Sequence, residues 1–209
     1  FRAELLDKIL GFNGDLSVLS AQATGLTDFD ALAGKIRSVP GVTRVTPMVE
    51  GQVLVSSSRT SQGAKVRGER VADLKTQRGL FDHISSGSLD DLDDDSVMLG
   101  GRLAFALGVH VGDTVTLLSP NGNATAFGTV PRVKTYRVAA TFDVGMFEFD
   151  SAFIYMNFPA AQLFFKVPDA ATVLDVMVVD PDQVAGQEGP IASLLGPRIR
   201  LFDWQQSSA

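Results

Sequence analysis

The chain contains no cysteine, which removes thiolate metal sites and thiol nucleophiles from the field while leaving the compartment open, because many extracytoplasmic domains also lack disulfides. Histidine is nearly as scarce. The two present, His83 and His110, lie 27 positions apart, without the HExxH or H-x3-H spacing of a metal site, and both read as surface or turn residues. For acyl-transfer chemistry the G-x-S-x-G elbow is missing. "MLGGRLAFALG" sets glycines ahead of a helix but follows neither the P-loop nor the GxGxxG spacing, so any ATP that drives the protein is expected on another chain, and no cofactor is expected on this one. The net charge is −6 and no dense run of lysine or arginine occurs, so nucleic acid is not an expected partner. No apolar run approaches the ~20 residues needed to span a bilayer. A non-catalytic domain is the expectation.

What remains is an ordinary globular composition: 209 residues, 45% hydrophobic and 20% charged, enough to build a core without metals or disulfides in one large or two small domains. The chain begins "FRAELLDKILGFNGD" without methionine and ends "FDWQQSSA". We expect it to be a piece of a longer protein.

The N-terminal part reads as β-α-β. "DLSVLSA" alternates Leu16 and Val18; Thr27 and Asp30 have capping-box spacing ahead of Phe29, Leu32, Ala33 and Ile36, an amphipathic helix of about three turns that Pro40-Gly41 stops. "VTRVTPMVEGQVLV" follows with Val45, Val49, Val53 and Val55 in strand period and slips at Pro47 and Gly51 that suggest an edge or a bulge. "SSSRTSQG" (56–63) reads as a flexible polar connector. The C-terminal third repeats this grammar: a strand "SAFIYM" (151–156), a short helix opened by Pro159, a strand "LDVMVVD" (174–180), a helix over 182–195 and a last strand "RIRLFDW". Between these parts, "AKVRGER", "DSVMLG", "DTVTLLSP" and "VKTYRVAATF" read as short strands with one brief helix at Gly101 to Leu107. The expected fold is therefore α+β: a split α/β subdomain (1–60 and 145–209) with a β-rich insertion (61–144).

Three features test for chemistry. "SSGSLDDLDDDS" places five aspartates within positions 90–95 and reads as a solvated acidic loop, because an EF-hand's sixth-position glycine and twelfth-position glutamate are missing. In "GMFEFD", Glu148 and Asp150 alternate with Phe147 and Phe149; on a strand both carboxylates share one face, as a catalytic pair or as the polar side of a half-buried strand, and we take the second reading. "NAT" at 123–125 matches a glycosylation sequon and is read as coincidental.

"SPNGNATAFGTVPRVK" (119–134) is the unusual stretch. Two residues suffice to turn a hairpin, yet ten lie between Pro120 and Pro131, with Phe127 among small polar neighbours. Burying such an exposed side chain in a partner's apolar cavity gains about 2 kcal/mol, and prolines at both ends lower the entropy of ordering the loop. Phe127 folded back on its own domain is the other placement.

"DSVMLGGRLAFALGVHVGDTVTLLSP", "FGTVPRVKTYRVAATFDVGMFEFDSAFIYMNFPAAQLFF", "IRLFDWQQ" and the join "SVPGVTRVTPMVEG" together resemble the extracytoplasmic domain of the lipoprotein-releasing ABC transporter permeases, the LolC/LolE family, over about Phe1 to Gln206 and most strongly over 96–165. The resemblance implies a Gram-negative inner-membrane protein whose periplasmic domain has the MacB-like build, a porter α/β subdomain with an inserted sabre subdomain. It implies a separate cytoplasmic ATPase (LolD-like) that binds the ATP, a second permease subunit that is LolE-like, LolC-like or identical, a lipoprotein substrate, and a carrier chaperone (LolA-like) that receives it. It also implies a protruding β-hairpin, the hook, over 119–134 that enters the carrier. By position the hook is Pro120, Asn121, Gly122, Asn123, Ala124, Thr125, Ala126, Phe127, Gly128, Thr129, Val130 and Pro131, with Arg132 and Lys134 as its basic base. Which of the two permease branches the chain follows stays open. The alternative in another class is a MacB/FtsX-like domain that transmits motion to an efflux partner or a cell-wall hydrolase.

Overall fold

The computed structural model describes residues 13–20, 24–180, 185–194 and 199–203. The opening and closing stretches of the resemblance, the first residues of the helix expected from 182, and the side chains of Asn121, Asn123 and Ala124 lie outside the described set. In chain order, β1 (Leu16–Ser20) is followed by α1 (Phe29–Arg37), which buries Leu32, Ala33 and Ile36 as their spacing predicts. The expected capping box does not form, since the helix begins after Asp28 and no side chain caps it. β2 (Val42–Ser56) buries Val45, Val49, Val53 and Val55, with a register shift between Val42 and Arg44. The expected flexible connector is instead a tight turn into β3 (Ser61–Glu69). There the Ser57 amide donates to the Thr60 carbonyl at 2.9 Å, and the Ser57 hydroxyl accepts from the Arg59 and Thr60 amides at 3.2 and 3.4 Å. Serine hydroxyls that bond their own backbone fix a turn as firmly as they solvate one.

The next segment holds elements too short to leave a periodic trace: α2 (Val71–Thr76), α3 (Arg78–Phe81) and β4 (Ile84–Gly87). β5 (Ser96–Gly100) and α4 (Gly101–Leu107) follow as expected, the helix closed by Gly108 at φ 70°. β6 (Thr114–Thr125) and β7 (Gly128–Phe142) are the longest pair. Then come α5 (Phe147–Ala152), β8 (Phe153–Asn157), α6 (Phe158–Phe165), β9 (Val173–Val178), α7 (Ala185–Leu194) and β10 (Ile199–Asp203). α6 is capped by Asn157, whose side chain accepts from the Ala160 amide at 2.9 Å.

The described residues form two compact units, 13–49 with 167–203, and 50–166. The joins expected at 60/61 and 144/145 both fall inside the 50–166 unit, where β3, β8, α5 and α6 lie with β5 to β7. In the first unit β10, β1, β9 and the start of β2 pair antiparallel in that order. α1 and α7 contribute Leu32, Ile36 and Ile191 to a core with Leu16, Val18, Leu174 and Val176. In the second, β3 runs parallel to β8 and β5 parallel to β7, while β5 to β8, β4 to β7 and β6 to β7 are antiparallel. Leu74, Leu80, Met98, Phe142, Phe149 and Tyr155 fill the core beside that sheet, the Phe142 and Tyr155 rings meeting edge to face at 5.6 Å.

Candidate functional site

The hairpin expected at 119–134 forms, and most of the proline-bracketed residues that read as its loop are themselves strand. β6 and β7 pair from Thr114 opposite Arg137 to Ser119 opposite Arg132, break, and resume from Asn123 opposite Val130 to Thr125 opposite Gly128. Pro120 and Pro131 both fall in the break. A proline has no N–H to give a ladder and is tolerated where pairing is already interrupted. Gly122 sits in the same break with its Cα against the Val130 carbonyl oxygen, so that any Cβ there would collide with backbone. The extra length is thus spent on an irregularity halfway up a hairpin, not on an open loop.

Only Ala126 and Phe127 turn the chain at the tip. Gly128, at φ 113°, takes the left-handed conformation that so tight a connection demands. Thr125 locks the turn: its hydroxyl donates to the Gly128 carbonyl at 2.7 Å and accepts from the Phe127 amide at 3.2 Å. The Phe127 side chain is fully exposed, with 101% relative accessibility. Of the two placements open from sequence, it takes the outward one.

Down β7, Val130, Arg132, Lys134 and Tyr136 follow at spacing two and share a face. Val130, Pro131, Arg132, Val133 and Lys134 line a groove of about 330 Å³ whose other wall is Leu163, Phe164 and Lys166 of α6 and its C-cap. Val130, Val133 and Leu163 are exposed there. Arg132 donates to the Phe164 carbonyl at 3.3 Å, while its Nε is buried and has no hydrogen-bond partner among the described residues. Lys134 lies over the Tyr136 ring, 5.0 Å from its centroid, and its Nζ bonds Asp95 Oδ1 at 3.0 Å. Burial, and then the charge of Asp95, pushes the Tyr136 hydroxyl up to about 12.

The acidic stretch is therefore partnered and not merely solvated. Besides Asp95 with Lys134, Asp93 pairs with Arg137 at 3.1 Å, Asp90 with Lys75 at 2.9 Å, and Asp94 accepts from Asn157 at 2.8 Å. The Asp93 carboxyl is held below its ordinary range, first by the Asp95 amide and then by Ser96. No group of three or more metal-ligating side chains occurs among the described residues.

The strand expected for "GMFEFD" is instead the helix α5. Gly145, at φ 87°, ends the extended run, and the buried Asp150 carboxylate turns back to accept from the Val144 and Gly145 amides at 2.8 and 3.0 Å. Two positions apart on a helix, Glu148 and Asp150 do not share a face. Burial raises the Asp150 pKa against the pull of those two amides. His83 donates from Nδ1 to the Gly79 carbonyl at 2.8 Å, and exposed His110 lies 3.8 Å from Asp113, as turn residues would. Leu163, Phe164, Lys166 and Asp95 could not be read from the residues as neighbours of the hairpin foot, because they lie on other elements, Phe164 32 positions from Arg132 and Asp95 39 from Lys134.

A family model described as the MacB-like periplasmic core domain matches residues 6–188. The lipoprotein-releasing system transmembrane protein LolC of Xylella fastidiosa (strain Temecula1) is 29% identical over 212 residues, spanning 100% of this chain and 50% of that protein. The LolC protein of Neisseria meningitidis serogroup B is 27% identical over 157 residues, 74% of this chain and 38% of that protein. The chain spans about half the length of the curated relatives it matches. Among solved structures, the periplasmic region of MacB from Actinobacillus actinomycetemcomitans superposes with a TM-score of 0.56 at 14% identity, over 100% of this chain and 96% of that one. The extracellular domain of the noncanonic ABC-type transporter YknZ from Gram-positive bacteria gives 0.57 at 13%, over 90% and 99%. At these identities the likeness is one of fold.

Proposed function

We infer the role of this chain from the premise that it belongs to the MacB-like periplasmic core domain family: it is the periplasmic domain of an ABC transporter permease that releases lipoproteins from the inner membrane of a Gram-negative cell. Its hairpin hands them to a soluble carrier of the LolA type. The work of this domain is contact and conveyance. ATP is bound and cleaved by a separate cytoplasmic subunit of the LolD type, and a second permease, LolE-like, LolC-like or identical, completes the complex. No cofactor takes part in this domain.

The observation that carries the reading is Phe127, fully exposed at the end of a hairpin whose turn is locked by Thr125. A large apolar side chain held out in water costs solvation and gains nothing until a partner covers it. The arms that hold it are hydrogen-bonded to each other, so little ordering entropy is left to lose on binding. The basic and apolar groove at the foot supplies a second contact of different chemistry. A domain that only transmits motion has no need of such a tip, which favours hand-over above mechanical coupling.

The test is calorimetric titration of the domain with the periplasmic lipoprotein carrier encoded by the same genome. Phe127→Glu is expected to weaken binding roughly thirty-fold, the loss of about 2 kcal/mol of apolar burial, with circular dichroism unchanged, and deletion of residues 121–130 to abolish it while a cooperative thermal transition is retained. Unaltered affinity in the two variants would overturn the hook assignment.

A further inference from the structure

Building on the carrier-docking reading, we propose that Asp95 is an internal competitor: its carboxylate occupies Lys134 at the hairpin foot, and an acidic group of the partner binds there by displacing it. The groove gathers Arg132, Lys134 and Lys166 beside Val130, Val133 and Leu163, in a chain whose net charge is −6. A local surplus of cations on an acidic protein, walled by apolar side chains, suits an anionic group that carries apolar surface. Arg132 adds a buried Nε with no acceptor among the described residues. Among the described residues, the one carboxylate bonded to the groove's cations is Asp95, 3.0 Å from Lys134 Nζ.

Two features make Asp95 displaceable. Its side chain is 82% exposed, and an ion pair so placed is weak. Its backbone does not depend on that pair. The Asp95 carbonyl accepts from the Arg137 amide at 3.0 Å, its amide donates to Asp93 at 2.9 Å, and Arg137 holds Asp93 and the Asp91 carbonyl. The loop stays attached to β7 while a single side chain swings away. Lys134 is not stranded at that moment, because it keeps the face of the Tyr136 ring. The pair thus shields the foot from weakly acidic strangers and yields to a partner that also fills the apolar wall and engages Phe127. Specificity comes from a contact the partner must replace, a repulsive element set against the attractive one.

The experiment uses Asp95→Asn, Lys134→Met, the double variant, and Asp82→Asn as a control of equal charge change in another exposed pair, 3.3 Å from Arg78. Each is titrated with the carrier, and separately with monomeric dodecyl phosphate, followed by the methyl resonances of Val133 and Leu163. Asp95→Asn is expected to tighten binding of both probes about two- to five-fold, Asp82→Asn to leave it unchanged, and the gain to vanish once Lys134 is methionine. Equal affinity of Asp95→Asn and the parent for every probe that binds, a gain that survives Lys134→Met, an equal gain from Asp82→Asn, or no binding of either probe overturns the competitor. If dodecyl phosphate shows the expected order while no variant binds the carrier, the competitor stands and the carrier reading falls.

Discussion

Glu50 lies where β2 enters the larger unit, and its carboxylate answers two cations: Arg67 Nε at 2.8 Å and Lys65 Nζ at 3.2 Å. Burial pushes its pKa up, but Arg67 and Lys65 together outweigh burial and hold it below the ordinary 4.5. For a carboxyl whose folded pKa is depressed, the stabilisation is complete above the unfolded value and is lost as the pH falls through the folded one. Acid destabilisation from this group therefore begins below about pH 4.5. Glu50→Gln is expected to cost about 1–3 kcal/mol at neutral pH, since Arg67 is buried against Phe149 and Phe153 and loses a charged acceptor. It is also expected to flatten the acid limb, so that variant and parent converge at low pH; urea midpoints across the acid range measure both effects. A constant gap at every pH would show that Glu50 does not titrate as described.

At the scale of the element, the hairpin depends on the break that holds Pro120, Gly122 and Pro131. Gly122→Ala would drive a Cβ into the Val130 carbonyl, forcing the upper arms to part while the pairs from Thr114 to Ser119 hold. Amide exchange at residues 123–130 is expected to speed at least ten-fold, with the melting temperature of the whole domain within about 2 °C of the parent. Exchange as slow as the parent's would mean that the break is built differently. The same element shows what could be read from residues alone. Strand patterns on either side of 119–134 and the helix at 101–107 were legible, the latter because glycines bracket an apolar period of 3.6. The two prolines read as brackets around a loop, since a sequence does not display that their nitrogens, which carry no hydrogen, fall where the ladder is already interrupted. "MFEFDS" misled for a related reason: its alternation fits a strand, and only the capture of the Val144 and Gly145 amides by Asp150 turns it into a helix. Lys134 could be read as basic but not as paired, because Asp95 reaches it from 39 positions away.

For the whole molecule the decisive feature is that, among the described residues, 50–166 form one continuous stretch with its own core, whereas the other unit is assembled from 13–49 and 167–203. A continuous stretch with a buried core can fold by itself. A fragment of residues 50–166 is expected to unfold cooperatively and to give amide resonances for β5 to β8 that match those of the full chain; a collapsed spectrum without dispersion would show that its core needs the rest. Within that stretch, the proline-interrupted hairpin has a bearing on the fate of many copies at once. Extended arms tipped with a bare aromatic are the kind of edge on which chains stack into fibrils. With Pro120 and Pro131 each withholding an N–H halfway along, neither arm offers an unbroken template, so the molecule can display an apolar lure in a crowded compartment without recruiting its own kind.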